Sequence, residues 1–346
     1  MSAELVTRPH RGALVRYGAE RAAVCVLSAD LTSSCEADGF REVYPERFFS
    51  MGMAEQNMMG FAGGLAREGF SPHVHTFAVF ITRRPFDQVA MSIAYPNLPV
   101  RLLGFLPGIS TPGGVTHQAI EDLAVMRALP NMTVVCCADA TEVESLLPAL
   151  EAVDGPVYAR VLRGAVPRLF PADEPLLVGQ PRVLGEGDEL TVISCGIGTE
   201  EALRAVPLLR AAGLSITHLH LSTLKLAREA GSSIGDEEPL IAALRGAEKG
   251  VITIENHSVI GGLGSAVAER MAELGCGVPL FRLGLADTFA HGASRGYLLS
   301  RYGLDAWALV RAAQRLAGRE LGVGEADLPS TAAALGVSRE AKAEDL

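Results

Sequence analysis

The sequence predicts an α/β protein built from two successive domains, in which parallel sheets are covered by helices on both faces. From Ala22 onward, short apolar runs alternate with stretches of helical periodicity, as expected for strands that are buried on both faces. This alternation is interrupted over residues 169–187 and then starts again. With 346 residues, the chain is long enough for two domains of roughly 150 residues each.

Five strand-like runs and four helical stretches alternate in the first half. The predicted strands are, in order, AAVCVLSAD, PHVHTF, LPVRLLGF, MTVVCCAD and PVYARVL. The predicted helices are a segment that contains Glu55, followed by RPFDQVAMSIAY, HQAIEDLAVMRALP and ATEVESLLPALEAV. Asp139 or Thr141 can cap the last of these helices. Together these elements predict a first domain over residues 1–168.

The interruption lies in RGAVPRLFPADEPLLVGQP, a stretch with four prolines, and predicts a linker over residues 169–187. A smaller second domain is predicted over residues 188–318. Its strands are ELTVISCG, LSITHLHL, KGVITIEN and VPLFRLG, and its helices are TEEALRAVPLLRAAG, a helix near Leu240, and GSAVAERMAELG. The tail over residues 319–346 is rich in Ala, Glu and Lys and carries no recognisable chemistry.

Composition excludes several classes of function. The net charge is −10 and there is no run of Lys and Arg, which argues against nucleic acid or an anionic membrane as the partner. The N-terminus has no apolar core for a signal peptide, and no apolar run is long enough to span a bilayer, so we expect a cytoplasmic protein. There is no CxxC pair, and buried, reduced thiols are expected in the apolar strands at Cys25, Cys136, Cys137 and Cys195.

Glu55 is out of place in its segment, SMGMAEQNMMGFAGGLAREG. The surrounding methionines, alanines and glycines recur at helical spacing and suit a buried helix. A carboxylate in such surroundings is costly unless another group pairs with it. Glu55 is therefore either an acid stabilised by the positive end of a helix or a functional group.

Five motifs occur in an order that is known from one family: SADLTSS, GMAEQNMMGFAGGLA, FITRRPFDQV, GGVTHQAIEDLAVMRALPNMTV and TIENHSVIGGLGSAVAE. From about Arg8 to Ala312, the chain resembles the C-terminal half of transketolase, and equally that half of 1-deoxy-D-xylulose 5-phosphate synthase. The resemblance implies that the first domain is a pyrimidine-binding domain. It implies a transketolase C-terminal domain for the second.

The resemblance also implies a site for thiamine diphosphate. Glu55 matches the catalytic acid that hydrogen-bonds ring atom N1′ of the aminopyrimidine and drives its tautomerisation, a task that suits a dry pocket. Phe80 matches the aromatic residue that stacks on this ring, and Phe77, three residues earlier, is a second candidate for binding the cofactor. Asp30 matches an aspartate close to the cofactor.

His117, in VTHQ, matches the catalytic histidine that faces the substrate. An imidazole can move protons to and from the carbonyl and hydroxyl oxygens of a sugar. Guanidinium groups suit the oxygens of a sugar phosphate. The resemblance implies that the residues that bind substrate are, besides His117, Arg8, Ser34 and Arg163, with Arg83 and Arg160 as further candidates.

Two positions depart from the family pattern. Gly113 stands where an acid usually precedes the histidine by four residues, and Phe105 stands at about the position of a second histidine. Both family residues contact hydroxyl groups of the donor sugar. We therefore expect a variant ketose phosphate, less hydroxylated or branched, as the substrate.

The chain lacks the GDG motif with which this family holds the metal ion at the diphosphate. We therefore expect that a separate N-terminal subunit supplies the diphosphate-binding domain and most of the Mg²⁺ or Ca²⁺ site, in an α2β2 assembly. The predicted function is transfer of a two-carbon ketol unit between phosphorylated sugars. The alternatives are the beta subunit of a 2-oxo acid dehydrogenase, a split 1-deoxyxylulose-5-phosphate synthase, and a subunit that regulates without catalysing.

Overall fold

The computed structural model describes residues 4–227, 234 and 238–330. The predicted tail over 319–346 therefore falls within the described residues only as far as 330. Among the helices of the described residues, there is none that is long and apolar enough to cross a membrane.

The first half alternates strands and helices. Its strands are β1 (Leu5–Thr7), β2 (Val24–Ser28), β3 (Phe48–Ser50), β4 (Ser71–Phe77), β5 (Arg101–Phe105), β6 (Thr133–Cys136), β7 (Val157–Val161) and β8 (Ala165–Pro167). Its helices are α1 (Pro9–Glu20), α2 (Asp38–Val43), α3 (Glu55–Arg67), α4 (Ala78–Arg83), α5 (Phe86–Gln88), α6 (Asp122–Ala128) and α7 (Ala140–Glu151). The chain continues α5 as a π-helical turn over Val89–Ala94, and short 3₁₀ turns form at Pro45–Arg47 and Gly114–Thr116.

The second half repeats the alternation. Its strands are β9 (Arg182–Gly185), β10 (Leu190–Ser194), β11 (Ile216–His220), β12 (Thr223–Lys225), β13 (Gly250–Ser258) and β14 (Leu280–Leu285). Its helices are α8 (Gly198–Ala211), α9 (Glu238–Gly246), α10 (Leu263–Glu273), α11 (Arg295–Tyr302) and α12 (Ala306–Ala317), followed by a 3₁₀ turn at Glu325–Asp327.

Three sheets organise the described part of the chain. The largest has the strand order β12-β6-β7-β5-β4-β2-β3 and is parallel except for β12. The second has the order β14-β13-β10-β11-β9 and is parallel except for β9. A pair of short antiparallel strands, β1 and β8, joins the start of the chain to the segment after β7. The predicted fold class is confirmed.

Burial explains why β2, β5 and β7 are so apolar: every residue in these strands is buried. One hydrophobic cluster runs from Met58 in α3 through Cys136 in β6 to Cys195 after β10 and Leu263 in α10. The two halves therefore share part of their core. The four thiols that were expected to be buried are buried.

The parallel strands end at the same edge of the large sheet, where ligands bind in open α/β sheets. Asp30 follows β2, Phe77 ends β4, the loop that carries His117 follows β5, and Arg163 follows β7. The topology thus places most of the candidate site residues at one edge.

Several boundaries differ from the prediction. The helix expected over HQAIEDLAVMRALP begins only at Asp122, because residues before it belong to a closed loop. The capping of α7 by Asp139 is confirmed, since its side chain accepts a hydrogen bond from the backbone N–H of Glu142. Strand β12 comes from the second half of the sequence but adds to the edge of the first sheet.

Candidate active site

Glu55 is the first residue of α3, directly after the short strand β3 and a turn at Gly52. Its side chain is only 4% exposed. The N–H groups at the start of a helix favour a carboxylate, and burial opposes its charge. Arg84 resolves part of this conflict, because its guanidinium donates a hydrogen bond of 2.5 Å to Oε1 of Glu55. Within the described residues, no donor reaches Oε2.

Arg84 also covers one face of Phe80. Its guanidinium carbon lies 4.0 Å from the centre of the Phe80 ring, a distance at which a cation is attracted to an aromatic face. Phe77 and Phe80 lie on either side of the start of α4, with their rings 5.9 Å apart and nearly parallel. The acid, the arginine and the two aromatic rings therefore form one continuous group.

His117 adds an imidazole to this group. Its ring packs in a T-shaped arrangement against those of Phe80 and Phe77, with ring centres 5.4 Å and 6.1 Å apart. Nδ1 lies 2.8 Å from the hydroxyl oxygen of Thr116, which restricts how the ring can rotate. The structure therefore brings together Glu55, Phe80, Phe77 and His117, which are up to 62 residues apart in the sequence.

Arg83 supports the loop that carries His117. Its guanidinium forms an ion pair with Glu121 and also donates to the carbonyl oxygens of Val115 (3.4 Å) and Gln118 (3.1 Å). The hydrogen bond to Glu121 raises the pKa of Arg83 above its usual value, so the arginine stays charged. Contact between Arg83 and substrate stays a prediction.

The three residues predicted to bind the sugar phosphate, Arg8, Ser34 and Arg163, lie on adjoining segments of the chain. Arg8 has a left-handed backbone, and its N–H donates to the carbonyl oxygen of Gly164 at 2.7 Å. The neighbouring Arg163 lies 5.9 Å from the ring of Phe77, which links this end to the aromatic group. Ser34 follows Ser33, whose carbonyl oxygen accepts from the Arg8 guanidinium at 3.2 Å. Arg8 also forms an ion pair with Asp38.

Glu36 holds these segments together. One carboxylate oxygen accepts from the N–H of Gly164 at 2.7 Å, and the other accepts from the N–H of His10 at 3.0 Å. Burial raises the pKa of Glu36, although the backbone donors favour its charged form. This carboxyl group thereby positions the backbone on both sides of the candidate anion site.

Arg160 is not a substrate ligand in this structure, and that prediction is wrong. The side chain is 1% exposed and pairs with the buried Asp122. It also donates to the carbonyl oxygens of Asn256 (3.0 Å) and Ala119 (3.2 Å). Burial works to lower the pKa of Arg160, but the Asp122 carboxylate outweighs burial and raises it. Arg160 is therefore an internal cross-link.

The two departures from the family pattern have different surroundings. Phe105 is fully buried and packs against the rings of His10 (5.3 Å) and His75 (6.0 Å), so it belongs to the core and not to the pocket wall. Phe105 therefore offers no contact to a sugar hydroxyl, and the variant ketose phosphate expected from this position stays a prediction. Gly113 does lie beside the histidine: a Cβ at this position would be 3.0 Å from Cβ of His117.

Asp30 is exposed after β2 and has a left-handed backbone. None of the hydrogen bonds found in the described residues involves its side chain, and its place near a cofactor stays a prediction. Across the same residues there is no group of three or more His, Cys, Asp or Glu side chains arranged to hold a metal ion.

Two family models together match most of the chain. The model described as "Transketolase, pyrimidine binding domain" matches residues 9–168, and that described as "Transketolase, C-terminal domain" matches residues 179–309. The chain belongs to the transketolase family. This transketolase-family chain thus combines the two domains that the resemblance implied.

Its relatives include separately encoded subunits. The chain is 38% identical to a 6-deoxy-6-sulfo-D-fructose transketolase subunit from Clostridium sp. (strain MSTE9), over 89% of this chain and 92% of the relative. It is 35% identical to a putative transketolase C-terminal section from Methanocaldococcus jannaschii, over 84% of this chain and 90% of the relative. A solved structure described as a split gene transketolase, inactive beta4 tetramer, is 40% identical, with a TM-score of 0.77, over 89% of this chain and 96% of that one.

Sequence reasoning missed Arg84 and Glu36. A signal for Arg84 was present, because it lies four residues after Phe80 and residues at that spacing share a helix face. For Glu36 the sequence offers no such signal, since its partners Gly164 and His10 are brought to it by the fold.

Proposed function

We propose that this chain is the C-terminal, catalytic subunit of a two-subunit, thiamine diphosphate-dependent transketolase. It transfers a two-carbon ketol unit between sugars that carry an anionic group at one end. The observation that carries the proposal is the grouping of Glu55, Phe80 and His117: Arg84 contacts both Glu55 and Phe80, and His117 packs against Phe80. An acid, an aromatic face and a proton carrier are the groups that this reaction requires from the pyrimidine-binding domain.

The chain offers the right residues for the aminopyrimidine half of the cofactor. Thiamine diphosphate, when bound, supplies a carbon nucleophile that attacks the substrate carbonyl. Glu55 would hold a proton against ring atom N1′, and the dry surroundings of Glu55 favour sharing of that proton with the ring instead of water. The face of Phe80 would support the ring, with Phe77 behind it. Asp30 is proposed to lie close to the cofactor.

His117 is proposed to move protons at the oxygen atoms of the sugar. It lies at the rim of the aromatic group and is half-buried, so it is open to a substrate and still has a fixed orientation. The Thr116 hydroxyl and the ring of Phe80 limit the positions of the imidazole. A positioned group of this kind accelerates proton transfer by about 10²- to 10⁴-fold.

Arg8, Ser34 and Arg163 are proposed to bind the anionic end of the sugar. Phosphate is the first candidate for this group, because guanidinium groups match its oxygens. The name of the 6-deoxy-6-sulfo-D-fructose transketolase subunit favours sulfonate as a second candidate. Arg8 already shares its charge with Asp38, and the remaining positive charge suits a monoanion as well as a dianion. Arg83 remains a further candidate for contact with the sugar.

The proposed partner is a subunit that carries the diphosphate-binding domain and most of the Mg²⁺ or Ca²⁺ site, in an α2β2 complex. The relatives that are themselves C-terminal sections or subunits support a partner. Exposed apolar side chains support it as well. They lie just before the helix that begins at Glu55, on that helix, and on or after the π-helical turn packed against it: Met53 is 80%, Phe61 40%, Met91 57% and Tyr95 78% exposed. An apolar surface of this kind beside a candidate cofactor site favours contact with a second subunit.

The test combines this chain with its partner subunit, thiamine diphosphate and Mg²⁺. We expect ketol transfer from the mixture and none from this chain alone. Ketoses with a terminal phosphate, a terminal sulfonate or neither should be compared, and either anion should improve kcat/KM at least tenfold. Activity of this chain alone would contradict the need for a partner. Efficient condensation of pyruvate with glyceraldehyde 3-phosphate would favour the synthase alternative instead.

A further inference from the structure

The segment that carries His117 is a closed loop between β5 and α6. Leu106 and Gly108, near its start, both have positive φ angles (52° and 64°), which turn the chain sharply. The N–H of Gly108 then donates to the carbonyl oxygen of Ala119 at 2.8 Å, so the two ends of the loop meet. His117 lies just before this closure, and its position depends on how the closure is held.

Asn256, from β13 of the second half, enters the closure from the other side. Its Oδ1 accepts from the N–H of Ile109 at 2.9 Å, and its Nδ2 donates to the carbonyl oxygen of Pro107 at 3.0 Å. Both polar atoms of the side-chain amide therefore form hydrogen bonds with the same short stretch of backbone. Asn256 is 4% exposed and its backbone partners are buried as well.

Gly108 lies directly against the Asn256 amide. A Cβ at Gly108 would come within 2.3 Å of Oδ1 and of Cγ of Asn256, far closer than any real contact. Its positive φ adds a conformational reason for glycine at this position. The loop backbone and the asparagine side chain thus fit each other without space for an additional methyl group.

Further contacts from the second half hold the closing end of the same loop. The N–H of Ser258, two residues after Asn256, donates to the carbonyl oxygen of Ile120 at 2.8 Å. Nε2 of Gln118 lies 3.3 Å from the carbonyl oxygen of His291. Strand β13 therefore contacts the loop on both sides of its closure.

We propose that Asn256 is a positioning residue for His117, through which the C-terminal domain takes part in forming the active site. This inference rests on the proposed function of His117. Without the Asn256 amide, the buried N–H of Ile109 would have no partner, which is costly. The Pro107 carbonyl would keep only the Ser110 hydroxyl, which donates to it at 2.7 Å. The loop would shift to satisfy them, and His117 would move with it.

The experiment compares Asn256→Ala with Asn256→Asp, which keeps the acceptor for Ile109 but loses the donor to Pro107. The control is Glu269→Gln, which removes a different contact between the two halves, the pair with Arg127, and does not touch the loop. We expect Asn256→Ala to lower kcat of the partnered enzyme about tenfold to a hundredfold, since a displacement of 1 Å can cost this much. Asn256→Asp should lower kcat as well, because a carboxylate oxygen would then face the Pro107 carbonyl oxygen, and the control should be unchanged.

The affinity for thiamine diphosphate should stay within about twofold in all variants, because Glu55 and Phe80 lie outside the loop. The full chain, labelled with ¹³C at histidine Cε1, gives a second readout that needs no activity. The His117 resonance, assigned with His117→Asn, should shift in Asn256→Ala and not in Glu269→Gln. If the partnered enzyme shows no ketol transfer at all, the proposed function fails, and this resonance still tests the positioning.

A double-mutant cycle with Gly108→Ala examines the contact itself. Gly108→Ala should displace the amide and resemble Asn256→Ala, and in the double variant the two effects on kcat should be far from multiplicative. An unshifted His117 resonance in Asn256→Ala would overturn the proposal, as would a loss of kcat in the Glu269→Gln control of the same size. If Asn256→Ala does not fold, Asn256→Asp, which keeps the side-chain volume, decides between these outcomes.

Discussion

Glu55→Gln changes one buried acid into an amide of the same shape and should leave the fold intact. The glutamine carbonyl can still accept the hydrogen bond from Arg84. The lost ion pair involves an arginine side chain that is 45% exposed, so solvent screens it. An interaction of this kind contributes no more than about 1 kcal/mol. We therefore expect the free energy of unfolding to change by about 1 kcal/mol or less.

The effect on catalysis should be much larger. An amide cannot share its proton with ring atom N1′ as a carboxyl group does, so the proposed role of Glu55 is lost entirely. Removal of one acid–base group lowers rates by about 10²- to 10⁴-fold. At 1.36 kcal/mol for each factor of ten, this corresponds to about 3 to 5 kcal/mol in the activation free energy. Stability and activity should thus separate clearly in this one variant.

Two assays on the partnered enzyme test this separation. Denaturant unfolding measures the stability, and hydrogen–deuterium exchange at C2 of bound thiamine diphosphate, followed by rapid quenching and NMR, measures the step that depends on Glu55. Glu68→Gln, an exposed acid just after the same helix, serves as the control and should behave as the wild type. An exchange rate in Glu55→Gln equal to that of the wild type would refute the role assigned to Glu55.

Three further predictions concern other parts of the chain. Phe80→Ala should raise the dissociation constant of thiamine diphosphate about tenfold by calorimetry, through loss of ring stacking and burial; an unchanged constant would contradict the stacking. Arg163→Met should lower kcat/KM at least tenfold for sugars with an anionic end and leave neutral sugars unaffected in steady-state assays, and equal losses for both would remove the assignment. Burial raises the pKa of Glu255 to about 7, from an ordinary value of 4.5, although the N–H groups of Gly264 and Leu263 oppose this. The stability associated with its neutral form is present below pH 4.5 and lost as the pH rises through about 7. In denaturant unfolding, the free energy of unfolding of Glu255→Gln should therefore rise by about 3 kcal/mol relative to that of the wild type over this pH range. A difference between the two proteins that does not change with pH would contradict the shifted pKa.

The long elements of the fold could be predicted because their sequence patterns are local. Apolar runs such as those of β2 and β7 are buried on both faces, and the helical periodicity of α7 is preceded by its capping Asp139. The short strands could not be predicted in this way. Strand β1 exists because it pairs with β8, and β12 because it lies next to β6. Three residues contain too little pattern to show a partner that is distant in the sequence.

The candidate site residues likewise divide into those that sequence motifs could predict and those that depend on distant partners. Glu55, Phe80 and His117 came from motifs, and the structure brings their side chains into one group. The place of Arg160 near the end of β7 shows where the backbone goes but not which partner the side chain finds. Its partner, Asp122, is 38 residues away in the sequence and fully buried. The sequence around Arg160 contains no pattern that predicts this pairing.

Arg83 and Arg84 show what the sequence could have distinguished. They are neighbours, so their side chains leave the end of α4 in directions about 100° apart. Arg84 shares a face with Phe80 and reaches Glu55, on the side proposed for the cofactor, whereas Arg83 reaches Glu121 and the loop of His117, on the side proposed for the substrate. Helical periodicity alone therefore distinguishes the two arginines, although it cannot name the acids that they meet. The end of this short helix thus connects the cofactor side of the candidate site with its substrate side. A shift of α4 would displace the groups that contact Glu55 and the loop of His117 together.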